Sequence, residues 1–479
     1  MSAHLPQVLD LFIFLFGPAW VTRWQRQWTQ AQAAAAAAAP SPRRPNRPCF
    51  YQRIFCLRVT LWYLLYQRLQ ADHSLAAVVV NVRSGGADRL RPKRAPLSRK
   101  VRSTKTSGYN QARQRLPLAF LQAALAHFQQ GLLKLVGLAP APTQPPPPGQ
   151  RTRQLLDGST LAVLLTPALA KDYPPAANQH GTSDWCLLRI LVGFCARSGA
   201  VLSAIEGPRQ QSEQALAWQL MAAAAFFVIW IGDRNFGVWS VVAKAVHHRQ
   251  DVLVRMTKAR AAKLCGHLPL ASGQERLVQW APSRHDKIPP GTPAEPVSGR
   301  LLYLRVQRGG KWMDLWLFTT LPAADYPLEL LAQWYGLRWQ AEVHFRTIKT
   351  HMDLAELNVV SPEMARKEFY AALLAYSLVR AVLWQAGERL ETGQSKLSFA
   401  QARRVLVEAL GQWGRSQIGL RGWSQKLVEE VAQHTLPKRR KPRPSEIRCV
   451  RHRRLRFPPL KGSRADARAR AHALEAKSL

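Results

Sequence analysis

Acid is scarce in this chain. Asp and Glu together number 29 against 68 Lys and Arg, leaving a formal charge of +39. A soluble protein that basic usually has a polyanionic partner, with nucleic acid the leading candidate. Charge alone leaves an enzyme and a binder that merely neutralises phosphate equally open. Cysteine is also sparse. Cys49, Cys56, Cys186, Cys195, Cys265 and Cys449 are scattered, with no Cys-x-x-Cys pair and no histidine at finger spacing. Neither a zinc ribbon nor a disulfide framework is indicated, and a reduced, cytoplasmic protein fits best. Long apolar runs are missing as well. Val8–Trp20 is too short to span a bilayer, contains Asp10 and lacks the basic start of a signal peptide, so no membrane segment is expected. Hydrophobic residues still make up 47% of 479 positions, an ordinary share, so the charge excess does not imply wholesale disorder.

Composition shifts divide the chain. An alanine tract from Gln32 followed by SPRRPNRP cannot bury much side chain, so residues 1–47 are expected to be a low-complexity, poorly ordered extension. Residues 48–139 read as helical, with apolar spacing over Cys49–His73 and again from Tyr109, separated by a basic loop. Spacing does not separate a DNA-binding module from a small bundle with solvated cations. The proline-rich stretch within 140–150 marks a linker.

After the linker the pattern changes to strands. RTRQLLDGST leads into Asp157-Gly158, where a buried strand is expected to end and turn. A hairpin follows over Leu187–Cys195 and Ala200–Ile205, then a helix over Ser212–Ala225, then the apolar run FFVIWIG ending at Asp233. Such a run suits a strand buried on both faces. Asp233 and Glu342 stand 109 positions apart, and strands broken by Pro and Gly fill that interval. The resulting division is core, residues 151–245; β-rich insertion, 246–322; core again, 323–390; a helical region, 391–437; and a basic tail, 438–479.

The stretch Leu331–Asp353 carries Tyr335, Arg338, Glu342 and Lys349 at offsets of 0, +3, +7 and +14. At about 100° per residue these fall within roughly 60° of one another on a single helix. A lone acid among cations and a phenol is a poor core face, but it suits holding a metal ion against a phosphate backbone.

Tyr-x2-Arg-x3-Glu-x6-Lys, within YGLRWQAEVHFRTIK, resembles the signature of DDE transposases of the insertion-sequence-four type. DGST at Asp157 and GDRNFG at Asp233 are similar to that family's other motifs. The resemblance covers about residues 50–465 and is strongest at 153–160, 228–237 and 331–385. It implies an α/β (α+β) fold: an RNase H-like core with a mixed five-stranded sheet, interrupted by a β-rich insertion and flanked by helical regions. It further implies Asp157, Asp233 and Glu342 as catalytic ligands of two Mg²⁺ (or Mn²⁺) ions. Tyr335, Arg338, Arg346 and Lys349 would contact DNA. Trp280, Trp312 or Trp316 of the insertion would be candidates to hold a flipped base. The implied partners are double-stranded DNA, both terminal inverted repeats and target, and a second copy of the chain, with the cytoplasmic nucleoid as setting. One departure is plain: the family often has a second Asp in a Pro-Asp-Thr context after the first motif, and here the nearest carboxylate is Asp172.

Each acid also has an ordinary use. Asp157 before glycine fits a turn residue, and Asp233 could pair with Arg234. Glu342 could pair with Arg338 or Arg346 on its own helix, a bond worth about 0.2–0.5 kcal/mol. Two other function classes therefore stay open: an inactive transposase remnant that only binds specific DNA, and an RNase H-like nuclease without strand transfer.

Overall fold

The computed structural model describes residues 7–38, 54–90, 95–178, 181–266, 269–308, 311–390, 393–415, 420–437 and 463–478. Its N-terminal part is helical: α1 (Val8–Phe16), α2 (Pro18–Ala37), α3 (Leu57–Leu69), α4 (Leu75–Arg83), α5 (Leu97–Lys100), α6 (Ser107–Arg115) and α7 (Leu118–Leu135). Pro117 splits what the spacing suggests is one helical run into α6 and α7, since proline lacks the amide that a continuous helix needs.

The α/β part follows as β1 (Arg153–Leu164), α8 (Pro167–Asp172), β2 (Pro175–Asn178), β3 (Gly181–Cys195), β4 (Val201–Pro208), α9 (Glu213–Ala223), β5 (Ile229–Gly232), α10 (Trp239–His247) and β6 (Asp251–Met256). Then come α11 (Lys258–Leu264), β7 (Gln274–Trp280), β8 (Val297–Arg308), β9 (Lys311–Thr319), α12 (Leu328–Gly336), α13 (Trp339–His351), β10 (Glu356–Leu357) and α14 (Pro362–Arg389). Three more helices complete the described chain: α15 (Phe399–Gly414), α16 (Leu420–Gln433) and α17 (Arg464–Ser478).

Five strands form a mixed sheet in the order β4-β3-β1-β5-β6. β1, β5 and β6 are parallel, while β3 runs antiparallel between β1 and β4. This is the RNase H-like arrangement. β6 falls within 246–322, the range expected for the insertion, yet it pairs parallel with β5 as the fifth core strand. Only β9, β8 and β7 are added, antiparallel to its edge, and they prolong the core sheet rather than forming a separate layer.

Helix α14 lies against this core and ties it to the helical parts, contacting α3, α7 and α16. Ser361 caps its start, with Pro362 at the first turn, and residues from Ala365 to Ala386 are buried on nearly every side. A helix apolar all round belongs inside. It is long and apolar enough to cross a membrane, but 83% of its most apolar window is already covered by protein.

The N-terminus differs from the poorly ordered extension expected for residues 1–47. Val8, Phe12 and Leu15 of α1 are at most 1% exposed, and the Phe12 ring meets Trp423 edge-on at 5.3 Å. Trp20 stacks on Phe120 at 5.3 Å, and the Val8 amide donates to Gln385 Oε1 at 2.7 Å. The alanine tract dominates the composition of this stretch, but the apolar residues ahead of it suffice to seat the segment in the core. The first stretch of the basic tail, 438–462, lies outside the described residues, as do 48–53 of the expected N-terminal domain.

Candidate active site

Asp157 sits within β1 rather than at its end. The strand continues through Gly158 to Leu164, paired throughout with β3. What ends there is the parallel ladder with β5, whose last pair is Leu156 with Gly232. Asp157 and Asp233 are therefore the next residues on two neighbouring parallel strands, just past their common pairing. Gly158 is a strand residue with Glu213 packed over it, not a turn. A Cβ there would come within 2.5 Å of the Glu213 carboxylate.

The GDRNFG segment is shaped by its glycines and by Asp233. The Asp233 carboxylate accepts from the Asn235 amide at 2.9 Å, closing a tight turn after β5. A Cβ on Gly237 would strike the Arg255 carbonyl of β6 at 2.0 Å, so only glycine lets the loop lie on that strand.

The expected single helix over 331–353 is two. α12 ends at Gly336 and α13 starts at Trp339, joined by a tight turn in which Leu337 and Arg338 donate to carbonyls three residues back. The break leaves Tyr335 at the end of one helix and Glu342 in the first turn of the next. Arg338 spans them, donating to Glu342 Oε1 at 2.6 Å. The ordinary intrahelical pair is thus realised, yet the group also faces the sheet. α13 packs beside β1.

Electrostatics draw these elements into one site. Burial pushes the Asp157 carboxyl up to about 6; the Gly158 amide and Arg338 oppose this, while Asp233 and Glu342 reinforce it. Burial pushes the Tyr335 phenol up to about 12, tempered by Arg338 and Arg255. Arg338 is held charged by Glu342, with Tyr335 and Asp157 contributing, against the cost of its burial. Lys349, at the far end of α13, is half-buried, and burial alone depresses it. Arg346 is exposed on the same helix.

The three tryptophans of the added strands part company. Trp280 is 6% exposed and edge-on to Phe318 at 5.0 Å, a core residue with no face for a base. Trp316 is stacked on Tyr303 at 4.3 Å. Trp312, near the β8–β9 hairpin tip, is 60% exposed, with the Arg305 guanidinium 5.5 Å from its ring centre.

Two residues that the sequence analysis did not single out join the acids. Glu213, at the start of α9, accepts from Asn235 Nδ2 at 2.7 Å, and burial raises its carboxyl, with Arg189 opposing and Asp233 adding. Arg255 lies on β6 within electrostatic range of Tyr335. In sequence, Ser212-Glu213 reads only as a helix start and Arg255 as a strand residue, so neither carries a local signal.

Comparison with known proteins matches residues 148–378 to the family described as "Transposase DDE domain". The matched stretch holds Asp157, Asp233 and Glu342. Residues 148–378 form a transposase DDE domain, and the chain is similar to transposases of the insertion-sequence-four type. Over 219 residues it is 27% identical to transposase InsG for insertion sequence element IS4 of Escherichia coli (strain K12), covering 44% of this chain and 48% of that protein. It is also similar to the transposase for insertion sequence element IS421 of Escherichia coli, 37% identical over 67 residues, or 14% of this chain and 18% of that one. The chain thus spans about half the length, or less, of these curated relatives. The site described above lies wholly inside the matched domain.

Among the described residues, no three His, Cys, Asp or Glu side chains are gathered at metal-holding distance. The chemistry of the set nonetheless suits a hard divalent cation. Asp157 and Asp233 supply oxygen donors from adjacent strands, and Asp157 is raised in part by the very charges a cation would neutralise. Glu342 would join by leaving Arg338.

Proposed function

We propose that this chain cuts DNA at the ends of an insertion sequence and transfers the freed strand into target DNA, a divalent-metal-dependent cut-and-paste transposase. The observation that supports the proposal is the placement of Asp157 and Asp233 just past the common pairing of two parallel strands, with Glu342 in the first turn of α13, which packs beside β1.

Mg²⁺ or Mn²⁺, two ions per site, would supply activation of the attacking oxygen and stabilisation of the leaving one. Asp157 and Asp233 would hold them from the sheet and Glu342 from α13. Arg338 offers a planar fork for a phosphate, Arg255 a second cation, and the Tyr335 hydroxyl a donor beside them. Lys349 and Arg346 extend the basic face along α13 for the backbone beyond the cut. Trp312 is the free aromatic for a displaced base, where stacking is worth roughly 1–3 kcal/mol. The excess of positive charge fits DNA at both steps, and binding should weaken steeply with salt. Because two ends must be joined, a homodimer on DNA is part of the proposal.

The test is cleavage of labelled DNA carrying the flanking inverted repeats, with Mg²⁺ or Mn²⁺, comparing parent with Glu342→Ala. Metal-dependent nicking at the repeat ends, lost in the variant, and products joined to target DNA are the expected results. The Arg338–Glu342 pair favours one rival, a remnant that binds ends without cutting. Tight binding with no cleavage by the parent would identify it.

A further inference from the structure

We propose that Asn235, gripped by the first turn of α9 through Glu213 and Gln214, positions the Asp233 carboxylate for metal binding. The inference rests on the three-carboxylate reading above.

Three hydrogen bonds converge on Asn235. Its Nδ2 donates to Glu213 Oε2 at 2.7 Å, and its carbonyl accepts from Gln214 Nε2 at 3.0 Å. Its backbone amide in turn donates to Asp233 Oδ1 at 2.9 Å. Asn235 is therefore held on its side chain and on its main chain by one helix turn, while its amide holds the acid two residues before it in the same turn. That helix turn is itself anchored. Ser212 Oγ accepts from the Ala215 amide at 3.1 Å, and the Arg189 guanidinium of β3 donates to the Gln211 carbonyl at 2.9 Å.

The same carboxylate touches the other strand. Glu213 lies so close over Gly158 that a Cβ there would fall 2.5 Å from it. One side chain thus packs against the residue beside Asp157 and bonds the residue that orients Asp233. Ligand carboxylates aimed by such partners bind metal better because the orienting cost is met in advance. Glu213 itself is engaged by Asn235 and needs no contact with the ions, so it is a positioning residue.

The experiment titrates Mn²⁺ by electron paramagnetic resonance into the full-length protein, without DNA, for parent, Glu213→Ala, Glu213→Gln, Asn235→Ala and the double alanine variant, with Asp233→Asn as control. Glu213→Ala should weaken Mn²⁺ binding roughly 10–100-fold, and Asn235→Ala by a similar factor. The double variant should lose no more than the worse single, because both act through one linkage. Glu213→Gln keeps an acceptor for Asn235 Nδ2 and should stay within about threefold of parent. Parent affinity in both single alanine variants, or fully additive losses, would overturn the inference. So would Glu213→Gln behaving like Glu213→Ala, since charge rather than positioning would then matter. Asn235→Ala retains the capping turn of α9 and serves should Glu213→Ala fail to fold. If Asp233→Asn itself leaves Mn²⁺ affinity unmoved, the three-carboxylate reading fails. If only Asp233→Asn lowers it, the positioning inference alone fails.

Discussion

Arg338 donates to Glu342 at 2.6 Å, so this acid is held by a cation one helix turn before it. The Nη2 N–H that Glu342 engages cannot serve a phosphate at the same time, so a two-pronged grip on phosphate through that nitrogen competes with the pair. On the proposed function, DNA binding by Arg338 and release of Glu342 would be linked. Arg338→Ala should raise Mn²⁺ affinity in the absence of DNA and lower affinity for end DNA by about 1.5–3 kcal/mol, the range for a hydrogen bond to a charged group. Arg338→Lys should not restore the second property, because the fork is lost. Spin-resonance titration and fluorescence anisotropy measure the two. Equal metal affinity in parent and Arg338→Ala would refute the linkage.

Asp157 carries a stability cost. Its carboxyl is raised from 3.8 to about 6, chiefly by burial. A raised group contributes stability that is fully present below its unfolded value and lost as pH rises through the folded one. Asp157→Asn should therefore stabilise the metal-free protein at pH 7.5 by roughly 1–3 kcal/mol and have little effect near pH 3.5. Thermal melts at the two pH values test this, and a destabilised variant at pH 7.5 would contradict it.

The tryptophans separate fold from function. Trp280→Ala opens a cavity in the core and should cost about 3–5 kcal/mol. Trp312→Ala, on an exposed ring, should change stability by no more than about 0.5 kcal/mol. It should nonetheless abolish the fluorescence change of a base analogue placed at the cleaved end. Retention of that change in Trp312→Ala would remove the base-holding role.

Glu368 of α14 joins the N-terminal helices to the catalytic part. It is 2% exposed and paired with both Arg68 of α3 and Arg113 of α6. Burial works to raise its carboxyl, but the two guanidinium groups prevail and hold it below its ordinary value. A depressed carboxyl stabilises the fold above its unfolded pKa and loses that contribution as pH falls through the folded one. Glu368→Gln leaves two buried cations poorly compensated and should cost about 3–5 kcal/mol at pH 7. Denaturant unfolding between pH 3 and 7 should show a shallower acid dependence in the variant.

Much of this was legible in the sequence because it is local. The strands around Asp157 and Asp233 follow from apolar runs punctuated by glycine, and the mixed sheet from their order. The charge excess pointed to a polyanionic partner, nucleic acid foremost, without any structure, since net charge is a property of composition. Other features were decided only when distant segments met. Gly158 reads as a turn, yet it lies within a strand because β1 stays paired with β3 through it, while Glu213, more than fifty positions away, packs over it. The Tyr335–Glu342 stripe reads as one helix, but packing beside the sheet accommodates a tight turn at Leu337-Arg338 that periodicity cannot register. Residues 8–21 were masked by the alanine tract that follows, and burial against α7, α14 and α16 fixes them. Sequence thus determined which chemical groups this chain carries and the elements that bear them. Tertiary structure alone decided which groups share a site, because burial and electrostatic coupling depend on distance through space rather than along the chain.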